Sequence, residues 1–283
     1  MRKKYSYTKR IKQIYKYFQI YRKHSYRFHM RSHYVEKRVE SFFNWLTNSK
    51  EVTNMTYDIT DINKEQLIHF ISDVTNKNYA FVKTYLNEIT NDEKLKNHII
   101  NNTIKNKDQF ADNTSYFGRR LGWYMLVRIL KPKVVVETGI DKGLGSCVLS
   151  AAIKKNKEEG FEGRYFGTEL SKTNGYLFSK PYSEYGKIIR GDSVESLKKF
   201  TSKIDLFIND SDHSHEYEAL EYNTIKNKLS KRAYIIGDNS HESRALYDFS
   251  NKNNRNFLFF KEEPLNHFYP GAGIGVSYIK NQL

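Results

Sequence analysis

The sequence predicts an α/β fold: a seven-stranded, mostly parallel sheet with an antiparallel terminal strand pair, helices on both faces, and a helical region before it. Three observations predict it. The run Val134–Thr138 is apolar and β-branched, bounded by Pro132 and Gly139, as a strand buried on both faces requires. From about residue 111, short apolar runs alternate with longer helical segments, the pattern of a parallel sheet. Hydrophobic residues make up 39% of the 283 and aromatics 15%, enough for a sizeable core and too many for wholesale disorder.

Three regions follow one another. Residues 1–38 form a basic, Tyr-rich arm: 13 Lys/Arg face one acid, Glu36, a balance of +12 in a chain whose net charge is +15. The remaining +3 leaves the body nearly neutral, so the basicity belongs to the arm. Ile11, Ile14, Tyr15, Phe18 and Tyr21 recur at helical spacing among the cations. Three roles stay open for it: a solvated arm, contact with an anionic membrane surface, and nucleic-acid binding. Residues 39–110 read as a helical cap or oligomerisation region, with Ile68, Ile71 and Val74 on one face and Phe81, Tyr85, Leu86 and Ile89 on another.

Residues 111–283 form the main domain. After Val134–Thr138, further strands are expected at 165–169, 187–190, 204–209, 233–237, 257–261 and 273–279, with helices at 144–156, 194–200, 216–229 and 241–253. Only about a dozen residues, with Pro264 and Pro270, join the last two strands, too few for a helical crossover. That pair is therefore expected to be antiparallel. The single Cys147 excludes an internal disulfide and an all-cysteine zinc site. No run approaches the roughly 20 apolar residues of a membrane span, and the N-terminus lacks the apolar block of a secretory signal, so a soluble cytoplasmic protein is expected.

The first strand runs into Glu137-Thr-Gly-Ile-Asp-Lys-Gly-Leu-Gly-Ser146, a loop with Gly139, Gly143 and Gly145 that opens a helix. Glycines permit a sharp turn and close approach of a ligand, which in an open α/β sheet lies beyond the carboxyl ends of the strands. The spacing is neither the dinucleotide fingerprint nor a P-loop. Glu137 at the strand end would repel a pyrophosphate but suits a cation, and S-adenosylmethionine carries a sulfonium, an ammonium and no phosphate.

At these residues the sequence resembles the class I S-adenosylmethionine-dependent methyltransferases, a Rossmann-like family. The resemblance runs from Asp112 to the C-terminus, about 60% of the chain. It implies cofactor contacts for Glu137, Thr138, Gly139, Gly143, Gly145 and Ser146. It implies that Glu169, followed by Leu170, holds the ribose. It also places Asp192 and Ser193 at the adenine, though either equally suits the cap of the helix that follows. Arg119 and Arg120 lie in a segment similar to the family's cofactor-closing helix, where one can pair with the methionine carboxylate or stay solvated.

The fourth strand ends in Asn209-Asp-Ser-Asp-His-Ser-His215 and the fifth in Gly237-Asp-Asn-Ser-His241. Asp210, Asp238 and Asn239 are candidate oxygen ligands for Mg²⁺; alternatively Asp210 binds the cofactor by facing its sulfonium, and Asp238-Asn239 is an ordinary turn after a strand. This arrangement resembles the metal-dependent small-molecule O-methyltransferases and the cephalosporin-hydroxylase-like group. The resemblance implies Asp210 as metal ligand and His213 as general base, with His215 and His241 as second choices. The expected activity is methyl transfer to a small-molecule hydroxyl, of a sugar for instance. The alternative is an RNA-binding or RNA-modifying protein using the basic arm, which the nearly neutral body disfavours. A homo-oligomer is compatible with either.

Overall fold

The computed structural model describes the backbone of residues 2–279 and, outside 2–10 and 32–34, their side chains. The arm's first cations, Arg2 to Arg10, and the last residues of the main domain, 280–283, therefore fall outside what is described. The chain divides into two compact units. One comprises Met1–Ser49 with Asn266–Phe268, the other Lys50–Leu265 with Tyr269–Leu283.

The first unit is built on a single helix, α1 (Arg2–Asn48). The boundary expected at residue 38 falls inside this helix, which continues because no Pro or Gly interrupts residues 2–48. Near its end Trp45 packs on Phe268 at 4.7 Å, and Ser41 exchanges hydrogen bonds with the His267 backbone.

The second unit opens with a two-residue strand β1 (Asp58–Ile59), then helices α2 (Asp61–Thr75), α3 (Tyr79–Thr90), α4 (Glu93–Lys105) and α5 (Arg120–Leu130). Each of the first three begins at a polar cap: Thr60, Asn78 and Asp92 accept from the backbone N–H three residues on. The alternating part follows: β2 (Val134–Thr138), α6 (Leu144–Glu158), β3 (Arg164–Glu169), β4 (Gly186–Arg190), α7 (Ser193–Lys199), β5 (Ile204–Asn209), α8 (His215–Ile225), β6 (Leu229–Asp238), α9 (Ala245–Lys252), β7 (Asn256–Lys261), β8 (Pro264–Leu265) and β9 (Gly273–Tyr278).

Seven strands form one sheet in the order β4-β3-β2-β5-β6-β9-β7. The first five are mutually parallel, and β9 runs antiparallel to both β6 and β7, between which it inserts. The expected antiparallel pair is thus present. The short β1 and β8 pair separately.

Strand alternation builds two cores. Val135, Leu206, Ile208, Ile236 and Ile274 face one side, where the buried stripes of α2, α5 and α6 cover them. Val136, Phe207 and Ile235 face the other, against Leu197, Tyr222, Ile225 and Phe249 of α7, α8 and α9. α5 is buried along most of its length, and Trp123 is fully enclosed. Three expected bounds shift by four residues, one being the end of α8 at Ile225 rather than 229. β6 begins earlier than 233 because its exposed Lys231 and Arg232 hide the apolar pattern. α9 begins at Ala245 rather than 241 because a turn through Asn239, in the left-handed region at φ 53°, precedes it. Among the described residues no helix is long and apolar enough to cross a membrane.

Trp123→Ala should cost about 3–5 kcal/mol, the range for emptying a large aromatic site in a closed core. Urea unfolding followed by circular dichroism measures it; a loss under 1 kcal/mol would contradict the enclosed position.

Candidate active site

The carboxyl ends of β2, β3, β4 and β5 surround a cavity of about 420 Å³. A tight turn at Gly139 shapes the wall, whereas Gly143, also expected to hold the cofactor, lies off the lining against Gly175 and Phe178. Gly139 follows β2 at φ 76°, and a Cβ there would sit 2.1 Å from the Asp210 carbonyl oxygen, so only glycine lets the loops after β2 and β5 pass this closely. Gly143 caps α6 at φ 94°.

The lining carries one sign of charge. Asp141, Glu169, Asp192, Asp210 and Asp212 contribute five carboxyl side chains, and no Lys, Arg or His is among the lining residues. A cavity of similar size at the opposite ends of the strands is lined by Lys77, Lys131, Lys133 and Arg232 and carries the reverse charge.

Of the residues expected to hold a cofactor, Gly139, Glu169, Leu170, Asp192, Ser193 and Asp210 line this cavity. Glu169 accepts from the backbone of Asp141 at 3.0 Å and of Ser171 at 2.8 Å. A carboxylate has about four acceptor positions, so capacity remains for a ligand. Asp192 does two things at once. One oxygen caps α7 by accepting from Glu195 N at 2.9 Å, and the other accepts from the Tyr217 hydroxyl at 2.7 Å. Those bonds hold its carboxyl below the usual range. Ser193 bonds the same tyrosine hydroxyl at 2.9 Å.

Glu137, Thr138, Gly145 and Ser146 lie beneath the cavity instead. The Glu137 carboxylate accepts from the hydroxyls of Tyr165 and Ser146. A Cβ on Gly145 would meet Glu137 Oε1 at 2.1 Å, so the space this glycine frees is filled by that carboxylate rather than left for a ligand. Burial pushes Glu137 up to about 7, against the lowering effect of those bonds and of Arg120. Thr138 donates at 3.0 Å to Glu221, which lies under the neighbouring strand ends. Glu221 also takes the hydroxyls of Ser193 and Ser211 and the Asn209 amide, and burial pushes it too up to about 7.

Beside the cavity, Asp210, His213 and Asp238 each bring one ligand atom within 4.8 Å of the others. His213 sets Nε2 3.7 Å from Asp210 and Nδ1 3.3 Å from Glu218, a fully buried carboxylate that orients the ring. Burial opposes the imidazolium, but the Glu218 bond and the charges of Asp238 and Glu218 outweigh it and raise His213 above its ordinary value. Burial and the adjacent Asp238 push Asp210 well up. Asp238 goes the other way: burial alone would raise it, yet Arg119, which grips it through Nε and Nη2, holds it low. Arg119 also donates to the Tyr57 hydroxyl at 2.6 Å and to Glu262 at 3.3 Å, so it is a buried bridge and not a solvated arginine. Asn239 directs its Oδ1 to the Tyr269 hydroxyl at 3.3 Å. His241 lies by Glu242 at 3.7 Å, away from this cluster's ligand set.

Sequence reasoning missed Glu218, Glu221 and Tyr217. A signal existed: the stripe Glu218, Glu221, Tyr222, Ile225 follows helical period, so two acids occupy the buried face of α8. The Arg119–Asp238 pair, 119 positions apart, left no such signal.

The family model described as "Methyltransferase domain" matches residues 136–240, which carry every one of these strand ends. The chain carries a methyltransferase domain. Its seven-stranded sheet, with β9 reversed between β6 and β7, is the Rossmann-like arrangement expected of that family. No curated protein sequence matches the chain. Similar solved structures include the SAH-bound methyltransferase PaMTH1 of Podospora anserina, 19% identical over 56% of this chain and 77% of that one, with a TM-score of 0.42. The O-methyltransferase TomG of Streptomyces achromogenes, in complex with SAM, is 13% identical over 67% and 91%, with a TM-score of 0.46. The O-methyltransferase of Bacillus cereus in complex with SAH is 14% identical over 75% and 96%, with a TM-score of 0.45.

The buried Glu137 of the methyltransferase domain makes stability depend on pH. Between its ordinary 4.5 and about 7, the folded state keeps a proton that the unfolded chain has released, so stability falls as pH rises through that window. Glu137→Gln should remove a slope amounting to about 3 kcal/mol at most. Urea midpoints taken across the window will fall less steeply in the variant; parallel curves would refute the assignment.

Proposed function

We propose that this methyltransferase domain moves a methyl group from S-adenosylmethionine to a hydroxyl of a small molecule, a sugar hydroxyl being the chemical type. The observation that carries the reading is the cavity lining, with five carboxyl groups and no cation. Such a lining repels a diphosphate and attracts a sulfonium and an ammonium. The same charge disfavours a polyanionic acceptor such as RNA.

Unpaired groups support the cofactor. The Nε and Nη1 atoms of Arg120 are buried without a hydrogen-bond partner among the described residues, as is Thr168 Oγ1 on the cavity wall. Arg120 sits 4.0 Å from Asp210 and over the Trp123 ring, fixed in place with donors to spare. Those donors match the carboxylate of the cofactor's methionine end. Glu169 then takes the ribose hydroxyls, and Asp192 with Ser193 borders the base.

S-adenosylmethionine supplies a sulfonium-activated methyl: the C–S bond breaks, its electron pair stays on sulfur, and a C–O bond forms to the acceptor. The chain must hold the acceptor oxygen in line and remove its proton. His213 is suited to take that proton at Nε2, since Glu218 occupies Nδ1 and fixes the ring. Arg119 keeps Asp238 charged beneath it.

A divalent cation such as Mg²⁺ is the second part of the proposal. Asp210 and Asp238, with Asn239 adjoining, supply hard oxygen donors, His213 being kept for the proton, and the raised Asp210 marks a place where two carboxylates crowd without enough positive charge. When bound, the cation lowers the pKa of the acceptor hydroxyl. Arg119 competes for Asp238, so the affinity expected is modest.

Calorimetry with S-adenosylhomocysteine tests the cofactor. Binding should weaken at least tenfold in Glu169→Ala and in Arg120→Met, consistent with loss of charge-assisted bonds; no heat at millimolar ligand ends the reading. His213→Ala should lower kcat by about 10²–10⁴ while leaving that affinity within a few-fold. Activity unchanged by EDTA removes the cation and leaves the rest standing.

A further inference from the structure

The helix α1 carries a feature that methyl transfer does not use. Its 47 residues span about 70 Å. Over the described side chains between residues 11 and 39 an apolar side and a basic side can be traced, with Ile20 falling on the basic side and Arg22 at the edge of the apolar one. Ile11, Ile14, Phe18, Tyr21, Phe28 and Val39 recur three, four, seven or eleven residues apart along one side, with five of these six at least 60% exposed. Lys12, Lys16, Lys23, Arg27, Arg31 and Lys37 fall on the opposite side. From residue 11 to 31 there are six cations and no acid. An apolar, aromatic face this long is too large to leave in water without a purpose.

We infer that α1 is an anchor that lies flat on an anionic lipid surface, its aromatic face at the acyl boundary and its Lys and Arg rows at the headgroups. Of the possible occupants, this one satisfies both faces together. A nucleic acid would neutralise the cations and leave Ile14, Phe18 and Tyr21 wet. A second copy of the helix would cover the apolar face, whose spacing does approach a heptad. It would also set Ser25 and Ser32 in the seam and bring Arg22, Arg31 and Arg38 beside it with Glu36 as the one adjoining acid. Aromatic side chains and basic flanks suit the interface between headgroup and hydrocarbon. The helix lies on the surface and does not cross it, since no described helix is apolar enough to span.

The test uses the full-length protein in flotation with phosphatidylcholine vesicles, with and without phosphatidylserine. The protein should float with the anionic vesicles and stay behind with the neutral ones. Lys16→Glu and Lys23→Glu should each lower the partition coefficient by about fivefold or more, the effect of one surface cation. Ile14→Asp with Phe18→Asp should abolish flotation while the thermal unfolding midpoint of the second unit stays unchanged. Three results overturn the inference: no flotation on anionic vesicles, full flotation of the Ile14–Phe18 variant, or a wild-type dimer that this variant dissociates with no change in vesicle binding. Displacement from vesicles by single-stranded RNA, with the apolar variant binding that RNA as well as wild type, would assign the helix to nucleic acid instead.

Discussion

The strand ends of the second unit hold more negative groups than positive ones, and the rest of the site follows from that imbalance. Glu137, Asp210, Glu221, Asp238 and Glu262 come together beneath or beside the cavity, and Arg119 and Arg120 are the guanidinium groups that meet them. Arg119 is committed to Asp238 and Glu262, and it holds the Asp238 carboxyl below its ordinary range. Burial pushes the others the opposite way: Glu137 and Glu221 go up to about 7, and Asp210 rises well above its ordinary value. A carboxyl poised in this way resists an anionic ligand and gains from a cationic one, because an incoming positive charge replaces the proton it would otherwise keep.

The same reasoning separates scaffold from contact surface. A sequence motif with Glu137 and three glycines suggests that all of them touch the ligand. The geometry divides them. Gly139 shapes the wall, whereas Gly145 exists for the Glu137 carboxylate, which bonds Tyr165 and Ser146 and never reaches the cavity. Glu137 therefore belongs to the scaffold under the cavity and not to its wall. Glu221 does the equivalent under β5, tying Thr138, Ser193, Asn209 and Ser211 into one network that fixes the loops after β2, β4 and β5. Buried networks of this kind rigidify the groups above them, and here Asn209 Oδ1 alone among the side chains just named is buried without a partner among the described residues.

What the sequence made legible is what local physics decides. Val134–Thr138 and Ile204–Asn209 read as strands because each is buried on both faces, and their bounds match. The turn at Gly139 and the cap at Asp192 read correctly because conformation and hydrogen bonding there are set within a few residues. The edge of β6 was hidden by its exposed Lys231 and Arg232, whose side chains carry no burial signal. Arg119 was illegible for a different reason. Its partners Tyr57, Asp238 and Glu262 come from three distant segments, and nothing near residue 119 encodes them. Glu218 was recoverable in principle, since an acid on the apolar stripe of a helix requires a buried partner, here His213.

Arg119 also bears on whether a cation enters the site. A guanidinium and a divalent ion want the same carboxylate, and the guanidinium already has two parallel bonds to it with little exposure to water. A metal must therefore either accept the outward lone pairs of Asp238, sharing it with Arg119, or displace a buried arginine and leave Glu262 without its ion pair. The second route costs more than a surface ion could return. The first leaves Asp210 as the better ligand, because it is less buried, lies on the cavity wall, and has a proton to give up. Under the proposal of a cation here, the ion would meet a carboxyl at Asp210 whose charged form burial already disfavours, and the arginine beneath would limit its share of Asp238.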